Sequence, residues 1–173
     1  MKNDRDQFEW HVLRHLDAAY DVAWWYLQNR QDAEDAVHES VLKAYEAFAS
    51  FRGPDGRPWF FQIVRNRCLR FLEKRKAAPM SSLGDFEFEP VGAEDDPEAA
   101  LLRSVQSEQV KAAISELPPP FREVLILKEF QEQSYAQIAE IVGAPVGTVM
   151  SRLSRARALL AKRLRAEAWG ASS

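Results

Sequence analysis

The sequence predicts an all-α fold of two small helical domains joined by a flexible acidic linker. Three observations carry that expectation. Apolar residues recur at helical spacing on both sides of the middle of the chain. No stretch alternates apolar and polar residues with the period of a strand. Between the two helical regions, residues 77–100 read AAPMSSLGDFEFEPVGAEDDPEAA, a run of prolines, glycines, serines and acids with neither period. The expected limits are residues 1–76 for the first domain, 77–104 for the linker and 105–173 for the second domain. Each domain is short, so each has only a modest core.

In the first domain, Phe8, Val12, Leu16, Ala19, Ala23 and Leu27 form one apolar stripe, which predicts a first helix running across them. Asn29 and the following RQD make a short turn, with Asp32 as the expected cap of a second helix. Its buried face is Ala33, Ala36, Val37, Ser40, Val41, Ala44 and Phe48. FRGPDGRP, from Phe51 to Pro58, reads as a loop, and Pro58 fits the first turn of a third helix ending near Arg75. In the second domain LPPPFREVLILKEF opens a helix after prolines. SYAQIAEIV is another, capped by Ser134, and a long helix starts at Pro145.

The net charge of −3 is unevenly spread. Residues 52–76 carry +6 and residues 146–173 carry +5, against −5 over residues 1–51, −7 over 77–110 and −2 over 111–145. Phosphate binding depends on local Lys and Arg density, because each neutralised phosphate releases counterions, so two anion-facing surfaces are expected. The longest apolar run, Val22 to Leu27, is far shorter than the roughly 18 residues a membrane span needs, and no membrane contact is expected. MKNDRDQFEW lacks the apolar centre of a signal peptide, and the single Cys68 excludes an internal disulfide, so a cytoplasmic location is expected. Enzymatic activity is not expected. His11 and His15 stand at i, i+4 without a third metal ligand, His38 and Cys68 have no motif around them, and no Gly-rich loop is placed to cradle phosphate. Neither a cofactor nor a metal is implied.

SYAQIAEIVGAPVGTVMSRLSRAR meets the requirements of a helix-turn-helix. Ala139 is small where two helices cross, Gly143 permits the turn, and Ile138, Val142, Val149 and Leu153 supply a shared core. At 100° per residue, Thr148, Ser151 and Arg155 lie opposite the apolar stripe of the second helix, with Arg152 at the flank. Hydroxyls reach base edges or phosphates, and arginine binds guanine through two hydrogen bonds.

RPWFFQIVRNRC, residues 57–68, mixes aromatics with arginines. On a helical wheel Phe60, Val64, Cys68 and Phe71 point inward. Trp59, Gln62, Asn66 and Arg70 fall on the opposite side, with Arg57, Arg65 and Lys74 nearby. An outward indole above an amide and arginines suits unpaired bases, since the indole stacks, the amide reads an edge and the guanidinium groups hold phosphates. The other reading is a tryptophan packed under the FRGPDGRP loop. On the second helix Asp32, Asp35, Glu39, Leu42 and Glu46 share the face opposite its core stripe, which exposes a leucine among carboxylates. That is a candidate protein-docking face, the alternative being a solvated acidic face.

Taken together, DAEDAVHESVLKAYEAF (32–48), FRGPDGRPWFFQIVRNRCLRFLEKR (51–75) and LPPPFREVLILKEFQEQSYAQIAEIVGAPVGTVMSRLSRARALL (117–160) resemble, in order and spacing, the extracytoplasmic-function (ECF) sigma factors of the sigma-70 superfamily. The resemblance covers nearly everything but the linker. It implies a subunit that binds core RNA polymerase, directs it to promoter DNA and helps to open the duplex. Asp32, Asp35, Glu39 and Leu42 would then dock to the polymerase clamp. Arg57, Trp59, Gln62, Arg65, Asn66 and Arg70 would meet the minus-ten element, both as duplex and as melted non-template strand. Thr148, Ser151, Arg152 and Arg155 would meet the minus-thirty-five element. The segment from Pro118 to Phe130 would lie near the polymerase flap, and an anti-sigma factor is an expected partner. Gln62 and Met150 stand where members often carry a basic residue, which removes a phosphate contact at each. An autonomous helix-turn-helix regulator that binds duplex DNA without polymerase is the alternative class.

Overall fold

The structure is a computed structural model that describes residues 3–77 and 107–170. The expected linker, 77–104, lies outside the described residues except for Ala77. Every regular element among the described residues is helical. In order they are α1 (Asp4–His11), a 3-10 turn (Leu13–His15), α2 (Leu16–Leu27), α3 (Arg30–Ala47), a second 3-10 turn (Phe48–Ser50) and α4 (Gly56–Ala77). A helix over residues 107–115, α5, follows. Then come α6 (Pro119–Leu125), extended by a π-helical turn (Ile126–Phe130), α7 (Tyr135–Val142) and α8 (Val146–Gly170).

α2, α3 and α4 pack on one another, and α1 lies against α4. Small residues make the close approach of α3 to its neighbours feasible: Ala33, Ala36 and Ala44 are all fully buried. Ser40 is buried with them, its hydroxyl donating to the Ala36 carbonyl at 2.6 Å, so no polar group is stranded. Val41 and Phe48, expected in the same stripe, are half-buried.

Three local expectations need correction. The first apolar stripe belongs to two helices rather than one, because the chain breaks at Val12, whose φ and ψ are −125° and −63°. The cause is tertiary. His11 sits against the start of α4, its Nδ1 accepting the Gly56 N–H at 3.1 Å. The cap of α3 is Asn29, not Asp32. Asn29 has extended backbone, and its Oδ1 accepts the Asp32 N–H at 2.8 Å, so Asp32 is the capped residue. α8 also begins one residue after Pro145, at Val146.

In the second unit Ser134 and Gln137 form a reciprocal capping box at the start of α7. Gly143 ends it at φ +68°, the left-handed conformation that lets the chain turn into α8. Ile138, Val142, Val149, Leu153 and Ala156 are buried between the two helices and α6.

The two units also pack on each other. α4 lies on α7, and α2 touches α6 and its π turn, so the buried side chains form one continuous cluster. This explains the run VAWWYL at the end of α2. Val22 to Leu27 are buried on every side of the helix, as a helix enclosed by two sets of neighbours requires.

Candidate nucleic-acid interface

The four residues expected to meet duplex DNA come together on α8. Thr148, Ser151, Arg152 and Arg155 line one shallow concavity with Pro145 and Met150, and Phe121 closes its edge. Thr148 and Arg152 are half-buried while Ser151 and Arg155 are exposed. The Ser151 hydroxyl donates back to the Gly147 carbonyl at 3.0 Å, which leaves its lone pairs free to accept. Among the described residues neither Arg152 nor Arg155 has a carboxylate partner, whereas Arg157 on the adjacent flank is tied to Glu129 at 2.8 Å. That hydrogen bond is the main reason the Arg157 guanidinium is held above its ordinary pKa. Met150 is 51% exposed beside the polar residues.

The six residues expected at the minus-ten element are divided by the structure. Asn66 and Arg70 are exposed on α4, and Trp59 and Gln62 are half-exposed on the same side. Arg57 and Arg65 instead turn toward the second unit. Arg65 binds Glu123 of α6 through two hydrogen bonds, Nε to Oε2 at 2.8 Å and Nη2 to Oε1 at 3.2 Å. The Tyr26 hydroxyl of α2 donates to the same carboxylate, and burial together with that negative charge pushes the phenol well above its ordinary pKa. Arg57 donates from Nη2 to Gln131 Oε1 at 3.0 Å, and its guanidinium lies 5.3 Å from the Phe61 ring centroid. Placing both arginines beside an outward base-binding face therefore needs correction, because α4 has a third face that packs on α7. Phe61, fully buried, belongs to that packing as much as Phe60 and Val64 belong to the first unit.

Trp59 is half-buried against its own loop. Its ring lies 4.9 Å from that of Phe51 and 6.3 Å from that of Phe48. The loop is built around these rings: Arg52 donates to the carbonyls of Ala49 at 2.7 Å and Phe51 at 2.8 Å, and Asp55 Oδ1 accepts the Arg57 N–H at 3.0 Å. Sequence reasoning missed the groove beside this loop. Phe8, His11, Tyr45, Phe48, Phe51 and Arg52 line it, so aromatic faces and a cation meet at one surface. Its signal was the recurrence of aromatics at Phe48 and Phe51 just ahead of Trp59. His11 serves this packing, and His15 lies on a separate turn, so the pair does not form the helical i, i+4 arrangement. Among the described residues no cluster of three or more His, Cys, Asp or Glu side chains is placed to hold a metal.

On α3, Leu42 is 66% exposed. Two of its acidic neighbours hold α4: Asp32 pairs with Arg75, and Glu39 with Arg67 at 3.4 Å. Asp35 accepts from Gln31 Nε2 at 3.0 Å. The face is thus acidic, apolar at one point and braced from behind.

These features sit within two known sequence families. Residues 11–78 match sigma-70 region 2 and residues 107–160 match sigma-70 region 4. The RNA polymerase sigma-H factor of Pseudomonas aeruginosa is 32% identical over 174 residues, 94% of this chain and 89% of that protein. The chain belongs to the sigma-70 family. The ECF RNA polymerase sigma-E factor of Salmonella typhimurium is 34% identical, over 90% of this sigma factor and 85% of that one. Among solved structures the sigma factor is similar to RpoE of Bartonella quintana in complex with the anti-sigma factor NepR, with a TM-score of 0.72 and 28% identity over 92% of this chain and 97% of that one. It is also similar to CnrH in complex with the cytosolic domain of CnrY, with a TM-score of 0.66 and 26% identity over 95% and 91% of the two chains.

As an ECF sigma factor it binds core RNA polymerase and brings it to promoter DNA as a transcription initiation factor. A free-standing helix-turn-helix regulator would account for α7 and α8 but not for the region 2 match. No helix among the described residues is long and apolar enough to cross a membrane.

Proposed function

We propose that the first unit, residues 1–76, docks to core polymerase and opens the minus-ten element, while the second, residues 105–173, reads the minus-thirty-five element, with residues 77–104 bridging them. Docking is assigned to Asp32, Asp35, Glu39 and Leu42. Trp59, Gln62, Asn66 and Arg70 face the minus-ten DNA, and Arg57 and Arg65 join them when they are free of the second unit. Extruding a base costs a few kcal/mol, which stacking on Trp59 and in the aromatic groove beside Phe51 offsets. Thr148, Ser151, Arg152 and Arg155 enter the major groove. The observation that carries this reading is the pair of basic helix faces, on α4 and α8, each combining arginine with a base-reading side chain on a separate unit.

A cytoplasmic location and control by an anti-sigma factor belong to the same proposal. The likeness to RpoE of Bartonella quintana, solved in complex with the anti-sigma factor NepR, supports the latter. Pull-down with core enzyme followed by run-off transcription tests the reading. The chain is expected to be retained by core polymerase and to bind promoter duplex only weakly alone. Failure to bind core, together with tight sequence-specific binding by the free chain, would overturn it.

A further inference from the structure

The polar residues of α8 stand beside an apolar edge that packing within the chain leaves unexplained. At 100° per residue, Ser151 points away from the buried Val149, Leu153 and Ala156, with Thr148 and Arg155 to one side of it and Met150 to the other. Val146, one turn before Met150, continues that other side, and the two are 42% and 51% exposed. The outward surface of α8 therefore has a cationic flank and an apolar flank. Met150 shares one concavity with Ser151, Arg152 and Arg155.

A methionine that fills a gap in a core is enclosed by it, but half of Met150 is open to solvent. The stripe beside it is complete without it, since Val149 and Leu153 are already buried. Gly147 is likewise unexplained by packing. A Cβ there would meet no atom within 4 Å, so no neighbour excludes a side chain, and glycine weakens a helix relative to alanine. The missing side chain leaves clear the approach to Met150 and Ser151, which follow Gly147 by three and four residues on the same side of α8.

Hydroxyl and cationic groups beside one flexible apolar chain fit the major groove of B-DNA. Base edges there offer hydrogen-bond donors and acceptors, and the one apolar group among them is the C5 methyl of thymine. Residues near the start of a groove-reading helix meet base edges, and Met150 is the fifth residue of α8. Its unbranched, polarizable thioether adapts to such a contact.

We propose that Met150 is a specificity-determining residue that reads the C5 methyl of a thymine in the minus-thirty-five element. The proposal rests on the reading of α8 as the helix that enters that duplex, and it adds a base preference to it. The cationic flank supplies phosphate and guanine contacts, while Met150 sets one position of the sequence by apolar contact.

Selection by holoenzyme, assembled from the full chain and core polymerase, tests this. Duplexes randomised across the minus-thirty-five region are selected by the parent and by Met150→Ala. The parent is expected to select thymine at a position where Met150→Ala shows no preference, with the other positions unchanged. In the parent's selected duplex, replacing that thymine by uracil removes only the methyl group. The replacement is expected to weaken binding by the parent about three- to fivefold, the worth of one buried methyl group, and to leave binding by Met150→Ala unchanged. The same thymine preference in both chains, or a uracil penalty as large in Met150→Ala as in the parent, would overturn the proposal. A chain carrying Ser151→Ala, Arg152→Ala and Arg155→Ala together, shown by circular dichroism to be folded, tests the underlying reading. If its holoenzyme selects the same sequence with the parent's affinity, α8 does not enter the duplex and both fall. If its affinity drops while Met150→Ala keeps the thymine preference, only the role of Met150 falls.

Discussion

Arg65 and Glu123 lie 58 residues apart in sequence and meet through two hydrogen bonds, one to each carboxylate oxygen, at 2.8 and 3.2 Å. Only a guanidinium presents two donors in that fixed fork, so lysine would not replace Arg65 here. The contact joins a helix proposed to meet melted DNA with a helix of the other unit, and it commits Arg65 to one of two partners at a time.

Gly56 is required at the start of α4. A Cβ there would lie 2.5 Å from His11 Cβ and 2.7 Å from the His11 carbonyl oxygen, so backbone would have to move. Gly56→Ala is expected to destabilise the chain by about 2–3 kcal/mol through overpacking, measured as a lower urea midpoint with an unchanged slope.

Trp59 has both a packing role and a proposed DNA role. Trp59→Ala removes ring contacts to Phe51 and Phe48, each worth about 0.5–1.5 kcal/mol beyond area burial, so a stability loss of about 1–3 kcal/mol is expected. Opening of a duplex promoter should fail, retention by core polymerase should survive, and a pre-melted promoter should restore part of the activity. Equal loss of core binding and opening would assign Trp59 to structure alone.

Arg155 has no carboxylate partner among the described residues, so its charge is available to DNA. If it meets phosphate, Arg155→Ala lowers the slope of log affinity against log salt by about one for duplex carrying the minus-thirty-five element. If it meets guanine, about 1–3 kcal/mol of discrimination at one base pair disappears instead. Binding titrations at several salt concentrations, on the parent site and its single-base variants, distinguish the two.

His15 makes stability depend on pH. Burial first, and then the charges of Arg57 and Arg14, hold its imidazole below the ordinary pKa of 6.5, with Asp55 opposing. The unfolded chain therefore takes up this proton at higher pH than the folded chain. The contribution is intact above pH 6.5 and is lost as pH falls from there through the lowered folded value. His15→Asn should show a smaller fall in urea midpoint between about pH 7.5 and pH 5.5 than the parent chain, because asparagine has no proton to gain.

Much of the fold was legible because it is local. The cap at Ser134, the turn at Gly143 and the buried stripe of α8 follow from residues within a few turns of each other, and all three stand where spacing puts them. The break at Val12 was not legible. Phe8, Val12 and Leu16 keep the same spacing on one helix or two, and the contact of His11 with Gly56 lies 45 residues away. For the same reason the wheel assigned α4 two faces when it has three.

By itself, then, the sequence determined an all-α chain with a helix-turn-helix and two basic islands, since periodicity, caps and charge density act over short distances. It also put Thr148, Ser151, Arg152 and Arg155 on one surface. Only the tertiary structure decided that Trp59 leans on Phe51 and that Arg57 and Arg65 answer Gln131 and Glu123. Whether an arginine on a helix meets water, phosphate or a distant carboxylate depends on which segment packs over it, and helical spacing holds no information about a partner 58 residues away.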